Sequence, residues 1–173
     1  TGREIFMIQS ENLHQLYADF GMVAEKAQVL ELEAGNVVLS FIALTVDPNN
    51  ISPADKVVYK KLVDEVDRKT FGNLLRQVRK VIEFDSSSEE VISDALSKRN
   101  YLVHSFFKTH NFAIYDDSGQ VKMRQELSDI SKQMDIAHMH LSAICQLLEK
   151  VAGREPSDEK AKEFMALGKS IEI

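Results

Sequence analysis

The sequence has 173 residues, of which 44% are apolar and 28% charged, and this composition suits one globular domain with a sizeable core. The net charge of −6 argues against a sequence-blind nucleic-acid-binding protein, which would carry a basic face, but it leaves room for a local phosphate site. The single Cys145 excludes an internal disulfide, and the longest apolar run, residues 37–46, is too short to span a bilayer. We therefore expect a cytoplasmic protein with no membrane segment.

The first two predicted elements are helical. Apolar side chains recur at intervals of three and four over residues 10–46, which is the period of one long amphipathic helix. Pro48 ends this helix, because the residue before a proline is pushed away from helical angles. A second helical stretch covers residues 52–83 and has Pro53 in its first turn. It is predicted as one helix or as a kinked helix pair broken near Gly72.

The second half of the chain contains a motif helix and another long helix. The motif helix covers residues 87–108 and is started by overlapping capping boxes, Ser86 with Glu89 and Ser87 with Glu90. Residues 118–152 repeat the helical period up to the C-cap glycine, and residues 156–170 form a short C-terminal helix or tail. The whole chain, 1–173, is predicted to be a single all-α domain, an up-and-down bundle of four or five main helices.

Arg99 interrupts the apolar stripe of the motif helix. At about 100° per residue, the apolar side chains within about 60° of it are Ala95, Leu96, Leu102, Val103 and Phe106. A buried guanidinium without a partner is costly, so we expect a carboxylate from another helix, water in a cleft or a bound phosphate to meet it. Asn100 and His104 form an i, i+4 pair on the adjacent ridge.

The segment Arg99-Asn100-Tyr101-Leu102-Val103-His104 resembles the motif of the HEPN superfamily, the higher eukaryotes and prokaryotes nucleotide-binding domains. The signature of that superfamily is an Arg, four to six residues and then a His, frequently with a polar residue directly after the Arg. The setting is also similar, because the motif lies on an apolar helix in the second half of a small helical domain and a long helix follows. The similarity covers mainly residues 74–152.

The resemblance implies a metal-independent endoribonuclease of the kind found in toxin–antitoxin, phage-defence and CRISPR-associated systems, with neither a metal nor a cofactor. By that resemblance, His104 is the general acid or base while the ribose 2′-OH attacks the adjacent phosphate. Arg99 neutralises charge in the transition state, and Asn100 orients His104 or the phosphate. An arginine suits this role because it offers paired donors to phosphate oxygens, and a histidine because it exchanges protons near neutral pH.

The resemblance also implies partners for this chain. Three further side chains near the motif are predicted to bind the RNA substrate: Lys98, Tyr101 and Lys108. Arg99 and His104 are about 140° apart on an ideal helix, so one copy cannot easily aim both at one phosphate. We therefore expect a homodimer with a composite site where two motif helices meet.

An antitoxin or a nucleotidyltransferase is the protein partner that the resemblance suggests. Some toxins of the superfamily carry a Tyr two residues after the His, and a partner nucleotidyltransferase modifies that Tyr. Phe106 stands at this position here, so regulation by that route is not expected.

Two alternatives belong to other functional classes. In the first, Arg99 pairs with an acidic residue of another helix and His104 is an ordinary, partly buried histidine, so that the protein is a helical interaction module or an inactive HEPN-like domain that binds nucleotide or RNA. The second is a metal site, because Glu11–His14 and Asp135–His138 have the spacing that di-iron bundles use. Both acidic residues fall away from their apolar stripes, so we do not predict a metal site.

Overall fold

A computed structural model of the protein describes residues 2–44 and 52–153, with side chains from residue 11 onward except those of residues 59 and 67. Within these ranges the chain is helical and contains no strand, so the all-α class and the helical bundle are confirmed. The elements are α1 (Gly2–Leu44), α2 (Pro53–Asp67), α3 (Phe71–Val81), α4 (Ser86–His104), α5 (Phe106–Thr109), a 3₁₀ turn (Ala113–Tyr115) and α6 (Asp117–Val151).

The two longest helices, α1 and α6, run side by side in the same direction. Asp19 of α1 accepts a hydrogen bond from Arg124 of α6 at 2.6 Å, and Ser40 lies 3.3 Å from Cys145. Both pairs join residues that are 105 positions apart, which only parallel helices allow. Cys145 belongs to the buried core, and burial raises the pKa of its thiol.

The helices that follow α2 alternate in direction. Arg79, near the end of α3, pairs with Glu89 near the start of α4, so α3 and α4 are antiparallel. Ser88 at the start of α4 lies 3.0 Å from His140 in the last third of α6, and Tyr101 near the other end of α4 contacts Glu126 near the start of α6. Helices α4 and α6 are therefore antiparallel. The bundle therefore has the up-and-down arrangement that was predicted, with α1 in contact with α2, α3, α4 and α6.

The motif helix predicted over 87–108 is divided at Ser105. This residue has a φ of −133° and a ψ of −22°, so α4 ends at His104 and the four-residue α5 follows. After the break, two adjacent rings lie against α1: Phe106 lies 5.7 Å and Phe107 lies 4.7 Å from the ring of Phe20. These aromatic contacts hold α5 against α1.

Other boundaries differ from the predictions in smaller ways. The stretch 52–83 is the helix pair α2 and α3, and Phe71, at the start of α3, is fully buried. The side chain of Asp85 caps α4 by accepting from Ser88 N, so the predicted capping boxes are not what starts this helix. The predicted C-terminal element, 156–170, lies outside the described residues.

Helix α1 meets the length and composition of a membrane-crossing helix, since it contains an 18-residue window with a mean hydropathy of 1.4. Core helices of soluble proteins meet the same criterion, and 33% of that window is buried in the bundle. This window is longer than the apolar run at 37–46, on which the prediction of no membrane segment rests. A cytoplasmic location stays a prediction.

Candidate functional site

Arg99 lies on the core side of α4, as the helical wheel predicted. Its neighbours on that side, Ile92, Ala95 and Leu102, are buried, and the Arg99 side chain is only 18% exposed. Val103, which was assigned to the same stripe, is 51% exposed. The guanidinium therefore lies at the edge of the apolar stripe, where it can contact both a second helix and solvent.

The partner of Arg99 within this chain is a carboxylate. Arg99 Nη2 forms an ion pair with Glu31 of α1, whose side chain is 24% exposed. The contacting oxygen, Glu31 Oε1, is completely buried, and its contact with the guanidinium is an ion pair rather than a well-formed hydrogen bond. The pair compensates a charge that would otherwise be costly on each helix.

Asn100 connects Arg99 to the outer side of α4. Arg99 Nη1 donates a hydrogen bond to Asn100 Oδ1 at 3.1 Å, and Asn100 is exposed. His104, the last residue of α4, is also exposed rather than partly buried as the alternative interpretation assumed. Asn100 and His104 are about 40° apart on the helix, and we call them the motif ridge. The contact with Asn100 directs the Arg99 guanidinium towards this ridge. It thereby reduces the effect of the angle of about 140° between Arg99 and His104 around the helix.

The three side chains predicted to bind RNA are not gathered around the motif ridge. Lys108 is exposed on α5, beyond the break that follows His104. Lys98 is half-buried. Hydrogen bonds from Lys132 and Gln125 lower the pKa of Asp129 of α6, and the charge of Lys98 adds a smaller effect in the same direction. A role of Lys98 or Lys108 in binding RNA stays a prediction.

Tyr101, the third of them, belongs to a half-buried polar cluster. Its hydroxyl lies 3.4 Å from His110 Nε2, which in turn lies 2.6 Å from Glu126 Oε2 of α6. Partial burial, followed by the hydrogen bond with Glu126, raises the pKa of Tyr101. This cluster ties the segment after α5 to both α4 and α6, so it has a structural role irrespective of any contact with RNA.

Two acidic members of these arrangements, Glu31 and Glu126, were missed by the sequence predictions. A signal for Glu31 was present, because it follows the buried Ala27 by four residues and precedes the buried Ala34 by three. An acid in the apolar stripe of one helix is the counterpart of the arginine in the stripe of another. The position of Glu126 depends on how α5 and α6 pack, and the sequence has no comparable signal for it.

No group of three or more His, Cys, Asp or Glu side chains that could hold a metal ion is found in the part of the chain that the structure describes. Comparison with protein-family models, with curated proteins and with solved structures finds no match for this chain. Its function has to be inferred from the residues themselves.

Proposed function

We propose that this protein is a HEPN-like, metal-independent endoribonuclease of the toxin or phage-defence type. The observation that carries the proposal is the placement of Arg99 between Glu31 and Asn100, directly beside the exposed motif ridge. Arginine, asparagine and histidine are the residue types that the resemblance assigns to the reaction. Their grouping at the surface of α4 is what such a site requires.

The reaction uses groups that this ridge provides. A general base removes the proton of the ribose 2′-OH, the oxygen attacks the adjacent phosphorus, and the 5′-oxygen leaves with a proton from a general acid. His104 is exposed and can supply either function near neutral pH. Arg99 has five N–H donors, of which Glu31 and Asn100 engage two, so others are left for phosphate oxygens.

A homodimer completes the proposed site. Two-fold pairing of motif ridges places the His104 of one copy opposite the Arg99 of its partner, which relieves the angular separation within each helix. The exposed Val103 beside the ridge gives such an interface apolar area to bury. We further propose a cytoplasmic location, and an antitoxin as the protein partner.

The test is RNA cleavage in EDTA by wild type and by two variants, Arg99→Ala and His104→Ala. We expect chelator-resistant cleavage that falls by about 100-fold or more in each variant, the size of a lost acid–base or charge-stabilising group. His14→Ala is the matched control, because it removes an exposed histidine of α1 outside the motif. A wild-type protein that is strictly monomeric on a sizing column would count against the composite site.

A non-catalytic helical interaction module is the second candidate, and a specific observation favours it. Glu31 compensates the charge of Arg99 within one copy, so the arginine has a structural explanation that involves no RNA. An inactive HEPN-like domain that binds RNA or nucleotide lies between the two candidates. A folded, dimeric protein that cleaves none of the RNAs tested would favour this second reading.

A further inference from the structure

Two aromatic side chains stand out at the surface of the segment between α5 and α6. Phe112 is 82% exposed and Tyr115 is 81% exposed, more than any other large hydrophobic side chain that the structure describes. They are three residues apart across the 3₁₀ turn Ala113–Tyr115, and residues at i and i+3 eclipse each other in a 3₁₀ helix. The two rings, which we call the aromatic pair, therefore project from one side of the turn.

The turn that carries the aromatic pair is fixed to α6. The side chain of Gln120 is buried, and its Nε2 donates to the carbonyl oxygen of Ile114 at 2.8 Å. Gly119 allows the backbone of the turn to sit directly on α6, because a Cβ at that position would overlap the carbonyl of Ala113. Exposed rings on a rigid support lose little conformational entropy when they bind a ligand.

The turn is also tied to the end of α4 that carries His104. His110, two residues before Phe112, lies 3.4 Å from the hydroxyl of Tyr101. Tyr101 precedes His104 by one helical turn and is about 60° from it around α4. The aromatic pair and the motif ridge thus belong to the same end of the bundle.

The charges around the turn indicate which part of a nucleic acid the aromatic pair can contact. Asp116 and Asp117 follow the aromatic pair, and they disfavour a phosphate at the turn itself. Asp116 is engaged as the N-cap of α6, where its carboxylate accepts from Gly119 N at 2.8 Å. An uncharged, planar ligand matches two exposed rings in this setting, and an unpaired base is such a ligand.

We propose that Phe112 and Tyr115 stack on unpaired bases of a single-stranded RNA whose backbone lies at Arg99, Asn100 and His104. This inference rests on the proposed ribonuclease function and names its substrate class. Bases in an RNA duplex are already stacked and are closed to the rings, whereas loops and single strands offer them. The protein therefore selects single-stranded RNA and positions it from the base side.

A direct test uses the absence of tryptophan from the sequence. Phe112→Trp places one fluorophore in the aromatic pair, and Met139→Trp places one at a 61% exposed position of α6 outside it. Both carry His104→Ala so that RNA is retained. We expect a short oligoadenylate to quench the fluorescence at position 112, its duplex with oligouridylate to quench much less, and neither to affect position 139. Equal quenching at both positions would overturn the proposal.

Affinity gives the second measurement. Phe112→Ala and Tyr115→Ala should each weaken oligoadenylate binding about fivefold or more, while Tyr115→Phe and the control Met139→Ala leave it unchanged. Unchanged affinity in both alanine variants would overturn the inference. Loss of the dimer in these variants with RNA binding intact would also overturn it, because the aromatic pair would then be an interface between two copies of the chain.

The two proposals fail separately. RNA cleavage that is lost in His104→Ala but unchanged in Phe112→Ala and Tyr115→Ala would contradict only the stacking inference. Stacking on single-stranded RNA without chelator-resistant cleavage would contradict only the proposed ribonuclease function.

Discussion

The two sides of α4 carry parts of the same motif in different surroundings. On the inner side, Arg99 lies among buried residues and is neutralised by Glu31 of α1. On the outer side, Asn100 and His104 are exposed. Under the proposed function, stability and catalysis both depend on Arg99, whereas only catalysis depends on His104, although both residues belong to one six-residue segment.

The largest expected effect separates the two sides by stability. Arg99→Ala should lower the free energy of unfolding by about 2 kcal/mol, because it leaves Glu31 half-buried without its counter-charge. His104→Ala should change it by no more than about 0.5 kcal/mol, since the side chain is exposed. Urea unfolding of both variants beside the wild type measures this difference. Equal destabilisation by the two substitutions would show that the sides of α4 do not differ as described.

A double-mutant cycle isolates the inner ion pair. Arg99→Met and Glu31→Leu should couple by about 1–2 kcal/mol, so that the double variant is more stable than the sum of the single variants implies. The pair Lys26–Asp135 also joins α1 to another helix, but its side chains are 40% and 55% exposed. Its cycle should give less than about 1 kcal/mol, because water screens exposed charges. Coupling of the same size in both cycles would contradict the role given to burial.

The smallest expected effect concerns Tyr101, which lies between the two sides. Because the pKa of Tyr101 is raised in the fold, its neutral form contributes stability below the ordinary value of about 10. That contribution is lost as the pH rises from there through the raised folded pKa. Tyr101→Phe should therefore flatten the fall of the unfolding free energy above about pH 10. An unchanged pH dependence would mean that burial and the hydrogen bond with Glu126 do not hold Tyr101 neutral.

Much of the fold could be predicted because helices leave local signals. The three- and four-residue spacing of apolar side chains located α1 and α6, and the break between α2 and α3 was expected near Gly72. The break at Ser105 was not predicted, and after it two adjacent phenylalanines contact one ring of α1. A contact between residues so far apart in the chain has no local signature.

The candidate site could likewise be predicted only in part. The wheel placed Arg99 on the apolar side of its helix and Asn100 with His104 on a neighbouring ridge, because these angles depend only on helix geometry. The neighbours of Lys98 and Tyr101 could not be predicted in this way, because side chains close in sequence point to different neighbours on a helix. Tyr101 contacts Glu126 of α6, and the charge of Lys98 acts on Asp129 of α6. An RNA-binding role of either residue stays a prediction.

The sequence by itself determined that this chain is helical, that Arg99 needs a partner and that His104 follows it at the HEPN-like spacing. Periodicity and the cost of a buried charge are properties of each helix, so they can be derived without knowing the packing. Only the tertiary structure decided that Glu31 is the partner, that the ridge is open to solvent and that Phe112 and Tyr115 are exposed at the same end of the bundle. These three features depend on how α1, α4 and α6 pack, and the same sequence pattern is compatible with several packing arrangements.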